Sequence, residues 1–280
     1  MAQNSGRFFL ILVMSLISIP GEAGVCWRDI VGKLAVWRTR PPMLTTVPEV
    51  TAISENPPEV EEGAAGHPLY FEVRGFSEGY RHAVLLIHGA EASGGTWKEL
   101  VKPLLDRQVL VITPDVRGSG RTVYSGTDFN PYRVAQDLAA LITRLRVGPV
   151  HVVGHSLGGR TAVALGDLSP EIVASVTVLD LELRQSNAVA RNATYAPDIQ
   201  QSWAVDLMTP WRALTMPTLF VATNPNLGGY VGERGREFIR GARSGARDQF
   251  IQWDDVGHRV HREQPERVAD ALLAFWENGG

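Results

Sequence analysis

Residues 149–166 constrain the fold of this chain more than any other stretch. The β-branched run Pro149-Val150-His151-Val152-Val153 enters Gly154-His155-Ser156-Leu157-Gly158-Gly159 without a gap, and a helical period to Gly166 follows at once. A strand that turns this sharply into a helix needs small residues on both sides of the turn, because side chains there would collide. Glycines flank Ser156 at 154, 158 and 159. The apex residue of such a turn is lifted above the sheet, with the positive end of the next helix beside it. G-x-S-x-G alone occurs by chance in many proteins. Between a strand and a helix it marks Ser156 as a candidate nucleophile and the Leu157 N–H as a candidate oxyanion donor.

The rest of the chain repeats the same rhythm. Ala83–Ile87, Val109–Thr113, Val150–Val153, Val173–Leu179, Thr218–Ala222 and Gln249–Trp253 read as short strands. Over Pro131–Val147, the residues Val134, Leu138, Leu141, Ile142 and Leu145 share one helical face. A last helix opens at Pro265 and puts Val268, Leu272, Phe275 and Trp276 on one side. Strands alternating with helices predict an α/β fold, a mostly parallel central sheet with helices on both faces. The 280 residues, 44% hydrophobic and 20% charged, suffice for one such domain over residues 66–280 with a large core. Residues 25–65 are a Pro- and Glu-rich lead-in with at most one or two edge strands. A net charge of −3 gives no reason to expect nucleic acid or an anionic membrane surface as partner. The single cysteine, Cys26, excludes an internal disulfide framework and a cysteine-based metal cluster.

Residues 1–24 read as a signal peptide. Arg7 precedes an apolar run from Phe8 to Ile19, broken only by Ser15 and Ser18; Pro20 and Gly21-Glu22-Ala23 follow. On this reading the protein is exported, secreted or periplasmic, without stable membrane insertion after processing. The competing reading is a true start at Met43 and a cytoplasmic protein. Asn192-Ala193-Thr194 is a glycosylation sequon, meaningful only in a eukaryotic secretory pathway.

Two further segments complement the serine. Leu85-Leu86-Ile87-His88-Gly89-Ala90 ends an apolar strand in a His-Gly turn. With a nucleophile downstream, the Ala90 N–H is the candidate second oxyanion donor, and His88 is read as a prop for the loop. A serine hydroxyl needs a base, and histidine titrates in the right range. Of the seven histidines, His258 follows the last strand in Asp254-Asp255-Val256-Gly257-His258 and is the candidate base. His67 and His82 precede the first core strand, His151 lies within a strand and His155 within the turn. His261 is the rival.

Together these residues resemble the α/β-hydrolase superfamily, specifically its single-domain esterase and lactonase-like group, over residues 66–280. Trp97 and the turn Pro114-Asp115-Val116-Arg117-Gly118-Ser119-Gly120-Arg121 are similar to family features, as is Val256-Gly257-His258 through Gln264-Pro265-Glu266. The resemblance implies cleavage of a carboxylic ester, lactone or thioester through an acyl-enzyme, on a small-molecule substrate, with no metal and no organic cofactor. A serine at the turn sets the chain apart from the dehalogenase and epoxide hydrolase branches, which use aspartate there. The family usually places its acid after the next-to-last strand, where this chain has Ala222-Thr223-Asn224-Pro225-Asn226-Leu227 and the slot holds Asn226. Either the acid has moved to Asp180, at the tip of Val176-Thr177-Val178-Leu179, or the triad is incomplete. Glu182 and Asp206 are weaker rivals, and Asp255 is expected to support the histidine loop. The amide at Asn226 keeps open a non-hydrolytic ligand-binding protein on the same fold. An acyltransferase or cofactor-free perhydrolase would use the same triad. Residues 181–215 are expected to form a short lid of one or two helices. In it Trp203, Met208 and Trp211 either line a pocket or pack on the sheet.

Overall fold

In the computed structural model of this protein, all six apolar runs form strands, and two further strands precede them. The structure describes residues 52–53, 69–75 and 79–279. Residues 1–24, Cys26, Met43, His67 and most of the lead-in lie outside the described residues. The strands are β1 (Ala52–Ile53), β2 (Phe71–Arg74), β3 (His82–Ile87), β4 (Val109–Pro114), β5 (Val150–His155), β6 (Val173–Leu179), β7 (Thr218–Thr223) and β8 (Gln249–Trp253). They form one sheet in the order β1-β2-β4-β3-β5-β6-β7-β8. β1 pairs with β2, and β2 with β4, antiparallel; all later pairings are parallel. Every residue of β4, β5 and β7 is buried. A strand covered on both faces has no solvent side, which is why these segments read as continuous apolar runs.

The helices supply the two covers. On one face α1 (Lys98–Leu105) and α9 (Pro265–Glu277) pack Leu100, Leu104, Val268 and Leu272 against Val84, Leu86, Val153 and Leu219. On the other, α2 (Pro131–Leu145) and α3 (Leu157–Leu168) pack Val134, Leu138 and Val163 against Leu85, Val152 and Val176. α2 starts as its sequence suggests. The Asn130 side chain accepts the Tyr132 N–H at 2.8 Å, and Pro131 occupies the first turn, where no N–H is needed.

Between β6 and β7 the chain makes three short helices, one more than the longest expected lid: α4 (Asn187–Ala190), α5 (Pro197–Trp203) and α6 (Met208–Ala213). Met208 and Trp211 are core residues, 3% and 2% exposed, and Trp211 meets Phe220 edge-on. Trp203 is half-buried beneath the Arg160 guanidinium. The remaining helices are α7 (Glu233–Ala242) and α8 (Val260–Glu263). Among the described residues no helix is long and apolar enough to cross a membrane.

Parallel strands bring their C-terminal ends to one edge, and a crevice forms there. That edge collects His88-Gly89 after β3, Ser156 after β5, Asp180 after β6 and Asn224 after β7. Two hydrogen bonds step across it: Ser156 N–H to the Leu179 carbonyl at 3.1 Å, and Asp180 N–H to the Val221 carbonyl at 2.8 Å.

Candidate active site

Ser156 stands at φ 52° and ψ −127°, a region that non-glycine residues rarely occupy. Its neighbours must be glycines. A Cβ on Gly154 would overlap the Gly158 carbonyl, and one on Gly158 would overlap the Ile87 carbonyl. A Cβ on Gly159 would approach Val178 Cγ1 to 2.9 Å. The turn is therefore wedged between β3 and β6 with no room for side chains. Leu157 opens α3, so its N–H has no acceptor within the helix. Gly89 lies so close that an added Cβ would sit 2.9 Å from Ser156 Cβ, and Ala90 follows it in the chain.

His88 holds this loop. Its Nε2 accepts the Val116 N–H at 3.1 Å, which leaves the proton on Nδ1 to be donated to the Gly89 carbonyl at 2.8 Å. Burial pushes its pKa down, so it stays neutral. The turn that holds Val116 is itself fixed by Asp115, which accepts the N–H groups of Gly94 at 2.7 Å and Arg121 at 2.8 Å. Arg117, 2% exposed, forms a bidentate pair with buried Asp137, both bonds at 2.8 Å.

The structure brings Asp180 and His258 together: Asp180 Oδ2 is 2.8 Å from His258 Nδ1. Asp180 is fully buried, at φ 51° just past the β6 tip. Its Oδ2 also accepts the Tyr230 N–H at 2.8 Å, and its Oδ1 the Thr223 N–H at 3.1 Å. Burial alone would raise the Asp180 pKa. The hydrogen bonds from His258, Tyr230 and Thr223 outweigh it and hold the carboxyl below its ordinary range. A charged Asp180 accepting from Nδ1 fixes the tautomer and leaves Nε2 of His258 free to take a proton. The Tyr230 ring lies against the imidazole, centroids 4.3 Å apart. From the other side His155 Nε2 donates to the His258 backbone carbonyl at 2.8 Å.

The other sequence candidates go elsewhere. Glu182 pairs with Arg184 at 2.7 Å, and Asp206 accepts the Met208 N–H at 3.5 Å. Asn226 is exposed, and its N–H donates to Asn224 Oδ1 at 2.9 Å in a short turn. Asp255 pairs with Arg267 of α9 at 2.8 Å, which ties the histidine loop to that helix. His261 is 1% exposed against Trp97, with Nε2 3.1 Å from Thr96 Oγ1; burial pushes its pKa down to about 3. Among the described residues no group of three or more His, Cys, Asp or Glu is placed to hold a metal ion.

Beside the loop that follows β3 lies a narrow cleft, open to solvent, lined in part by Gly89, Phe129, Leu157, Thr161, Asp198 and Ser202. Neither Asp198 nor Ser202 stands in a recognisable motif. The backbone donors Tyr230 and Thr223 leave no mark in a sequence either, since any residue except proline offers an N–H.

Comparison with known proteins agrees with this fold. Residues 82–206 match a protein family described as the alpha/beta hydrolase fold. Lipase LipV of Mycobacterium tuberculosis is 36% identical over 100 residues, 35% of this chain and 36% of that protein. Soluble epoxide hydrolase of a Corynebacterium species is 31% identical over 103 residues, 37% of this chain and 36% of that protein. The chain spans between 32% and 42% of the length of the curated relatives it matches. Among solved structures, a thermophilic esterase from Thermogutta terrifontis superposes with a TM-score of 0.66 at 23% identity, covering 82% of this chain and 98% of that one.

Proposed function

Because this chain is an α/β hydrolase by fold, we propose that it is a serine hydrolase that cleaves carboxylic esters, lactones or thioesters through an acyl-enzyme. The observation that carries the reading is the 2.8 Å contact between fully buried Asp180 and His258 Nδ1, on a sheet whose adjacent strand tip presents Ser156. Ser156 Oγ attacks the carbonyl carbon while His258 Nε2 takes its proton. The N–H groups of Ala90 and Leu157 hold the developing oxyanion, a contribution worth about a hundredfold to a thousandfold per donor. His258 then returns the proton to the departing alcohol or thiol. Water repeats the cycle on the acyl-enzyme and frees the acid. Asp180 orients His258 and stabilises its protonated form throughout.

The nucleophile distinguishes this reading from the epoxide hydrolases that the chain also resembles. On this fold those enzymes use aspartate at position 156, which is serine here. The buried, multiply bonded Asp180 favours hydrolysis over simple ligand binding. A carboxylate desolvated beside an imidazole is costly to maintain unless its charge is used.

Fluorophosphonate labelling tests the proposal. Wild-type protein should be labelled covalently, and Ser156→Ala should lose both labelling and ester turnover, about four to six decades in kcat, while its circular dichroism is unchanged. Undiminished labelling of the alanine variant overturns the reading.

A further inference from the structure

The cleft beside the oxyanion loop has a polar end that the hydrolytic machinery does not use. Its lining includes Gly89 and Leu157, yet neither Asp180 nor His258. In acyl transfer the base returns its proton to the leaving group, so the leaving group lies on the His258 side and the acyl group on the other. The cleft, which His258 does not line, is assigned on that ground to the acyl side. Phe129, Val116 and Val134 give it apolar walls, and helix α5 closes it with Asp198 and Ser202. These two residues are four apart, so they share one face of that helix.

Both side chains are unengaged. Ser202 is 3% exposed, and its Oγ has no hydrogen-bond partner. A buried hydroxyl in that state is uncommon and costs stability unless something completes it. Asp198 makes no hydrogen bond or ion pair with any described residue. Its carboxylate lies close enough to His88 to act on that ring electrostatically. The other charged residue lining the cleft, Arg117, is neutralised by its bidentate pair with Asp137. The uncompensated charge in the cleft is therefore negative, with the Ser202 hydroxyl one helical turn away.

We propose that Asp198 and Ser202 select the acyl group: short acyl chains ending in a hydrogen-bond donor, an ammonium above all and a hydroxyl next, over plain acyl chains and against those ending in a carboxylate. This rests on the serine-hydrolase reading and names the substrates of the same site. An ammonium would sit against the Asp198 carboxylate, and a hydroxyl would bridge Asp198 and Ser202. A terminal carboxylate would meet a like charge in a half-buried cleft.

The test compares kcat/KM for the methyl esters of butyrate, 4-hydroxybutyrate, 4-aminobutyrate and succinate (as the monoester), with the acid product quantified. Wild-type protein should rank aminobutyrate first and succinate last. Asp198→Asn should lower the aminobutyrate-to-butyrate ratio by roughly tenfold to a hundredfold, the value of a charge-assisted hydrogen bond. Asp198→Lys should turn the preference towards succinate, a gain that a misfolded variant cannot produce. Ser202→Ala should lower the hydroxybutyrate-to-butyrate ratio. If both Asp198 variants keep the wild-type ranking while fluorophosphonate still labels Ser156, this assignment is wrong and the hydrolase reading stands. If wild-type protein is neither labelled nor active on any of the four esters, both fall.

Discussion

Replacing Asp180 with asparagine separates the charge of the acid from its shape. Asp180 accepts three hydrogen bonds: His258 Nδ1–H and Tyr230 N–H at Oδ2, both 2.8 Å, and Thr223 N–H at Oδ1, 3.1 Å. An asparagine has one acceptor oxygen. Placed at the Oδ2 position, it satisfies Tyr230 and His258 and turns its NH₂ against the Thr223 N–H. Placed the other way, it opposes two donors instead of one. The first orientation is therefore favoured, and it keeps the Nδ1–H tautomer of His258. One buried N–H is left without an acceptor, which costs about 1–3 kcal/mol of stability. Catalysis loses the negative charge beside the imidazolium that forms during attack. A hydrogen bond to a charged group exceeds a neutral one by enough to lower kcat roughly tenfold to a hundredfold. If the amide flips, the tautomer is also lost and the fall approaches four decades. Steady-state turnover of a chromogenic ester gives the first quantity, and urea denaturation gives the second. Asn226→Asp is the matched control. Its side chain is exposed on the outer turn and should leave both quantities near wild type. A kcat for Asp180→Asn equal to that of wild type, with normal stability, would refute the assignment of Asp180. So would a larger loss in Asn226→Asp.

Two further perturbations test the scaffold. Gly154→Ala forces a methyl group into the Gly158 carbonyl and to 2.6 Å from Gly159 Cα, so α3 must back away from β5. A loss of about 1–3 kcal/mol and a lower Tm are expected, and an unchanged Tm would count against the tight elbow. Acid should also destabilise the fold through its buried histidines. Burial pushes His151 and His261 down to about 3, and His155 well below its ordinary value. In the unfolded chain each takes a proton near pH 6.5, which the folded state refuses. The unfolded state therefore binds more protons below that pH, and stability falls as pH drops from about 6.5 towards 3, by up to about 1.4 kcal/mol per pH unit per histidine. Urea midpoints at pH 7 and pH 5 measure the slope. Equal midpoints would show that these rings are not held neutral.

What the chain disclosed in advance follows from what each residue contributes. The central strands were legible because burial on both faces makes them uninterrupted apolar runs. β2 was not: Phe71-Glu72-Val73-Arg74 alternates for only four residues before Gly75. α1 begins after a 3-10 turn and contains Pro103, which masks its period. α7, Glu-Arg-Gly-Arg-Glu-Phe-Ile-Arg-Gly-Ala, buries Ile239 but leaves Phe238 exposed, so its apolar signal is one residue deep. Ser156 and His258 stood out as candidates because their side-chain types and motifs suit the proposed chemistry, whereas Asp180 competed with Glu182, Asp206 and an incomplete triad. His155 does not: its bond to the His258 carbonyl depends on a contact across 103 residues. Met208 and Trp211 illustrate the converse. Their types suit a pocket lining and a core equally, and only packing places them in the core.

The bond from Ser156 N–H to the Leu179 carbonyl spans the gap between Ser156 and Asp180, since Leu179 is the residue before Asp180. Ser156 and Asp180, the proposed nucleophile and acid, are thus registered by the spacing of two hydrogen-bonded strands in the middle of the sheet, one of the stiffest distances a protein offers. His258 has no such datum. It arrives on a loop after the edge strand β8, clamped by His155, by Asp255 on Arg267, and by Asn224 N–H on the Val256 carbonyl at 3.0 Å. Alignment errors therefore accumulate in one place. On warming, His258 is expected to shift before Ser156 or Asp180 does. Drift in residues 254–264 can retune turnover without disturbing a single strand.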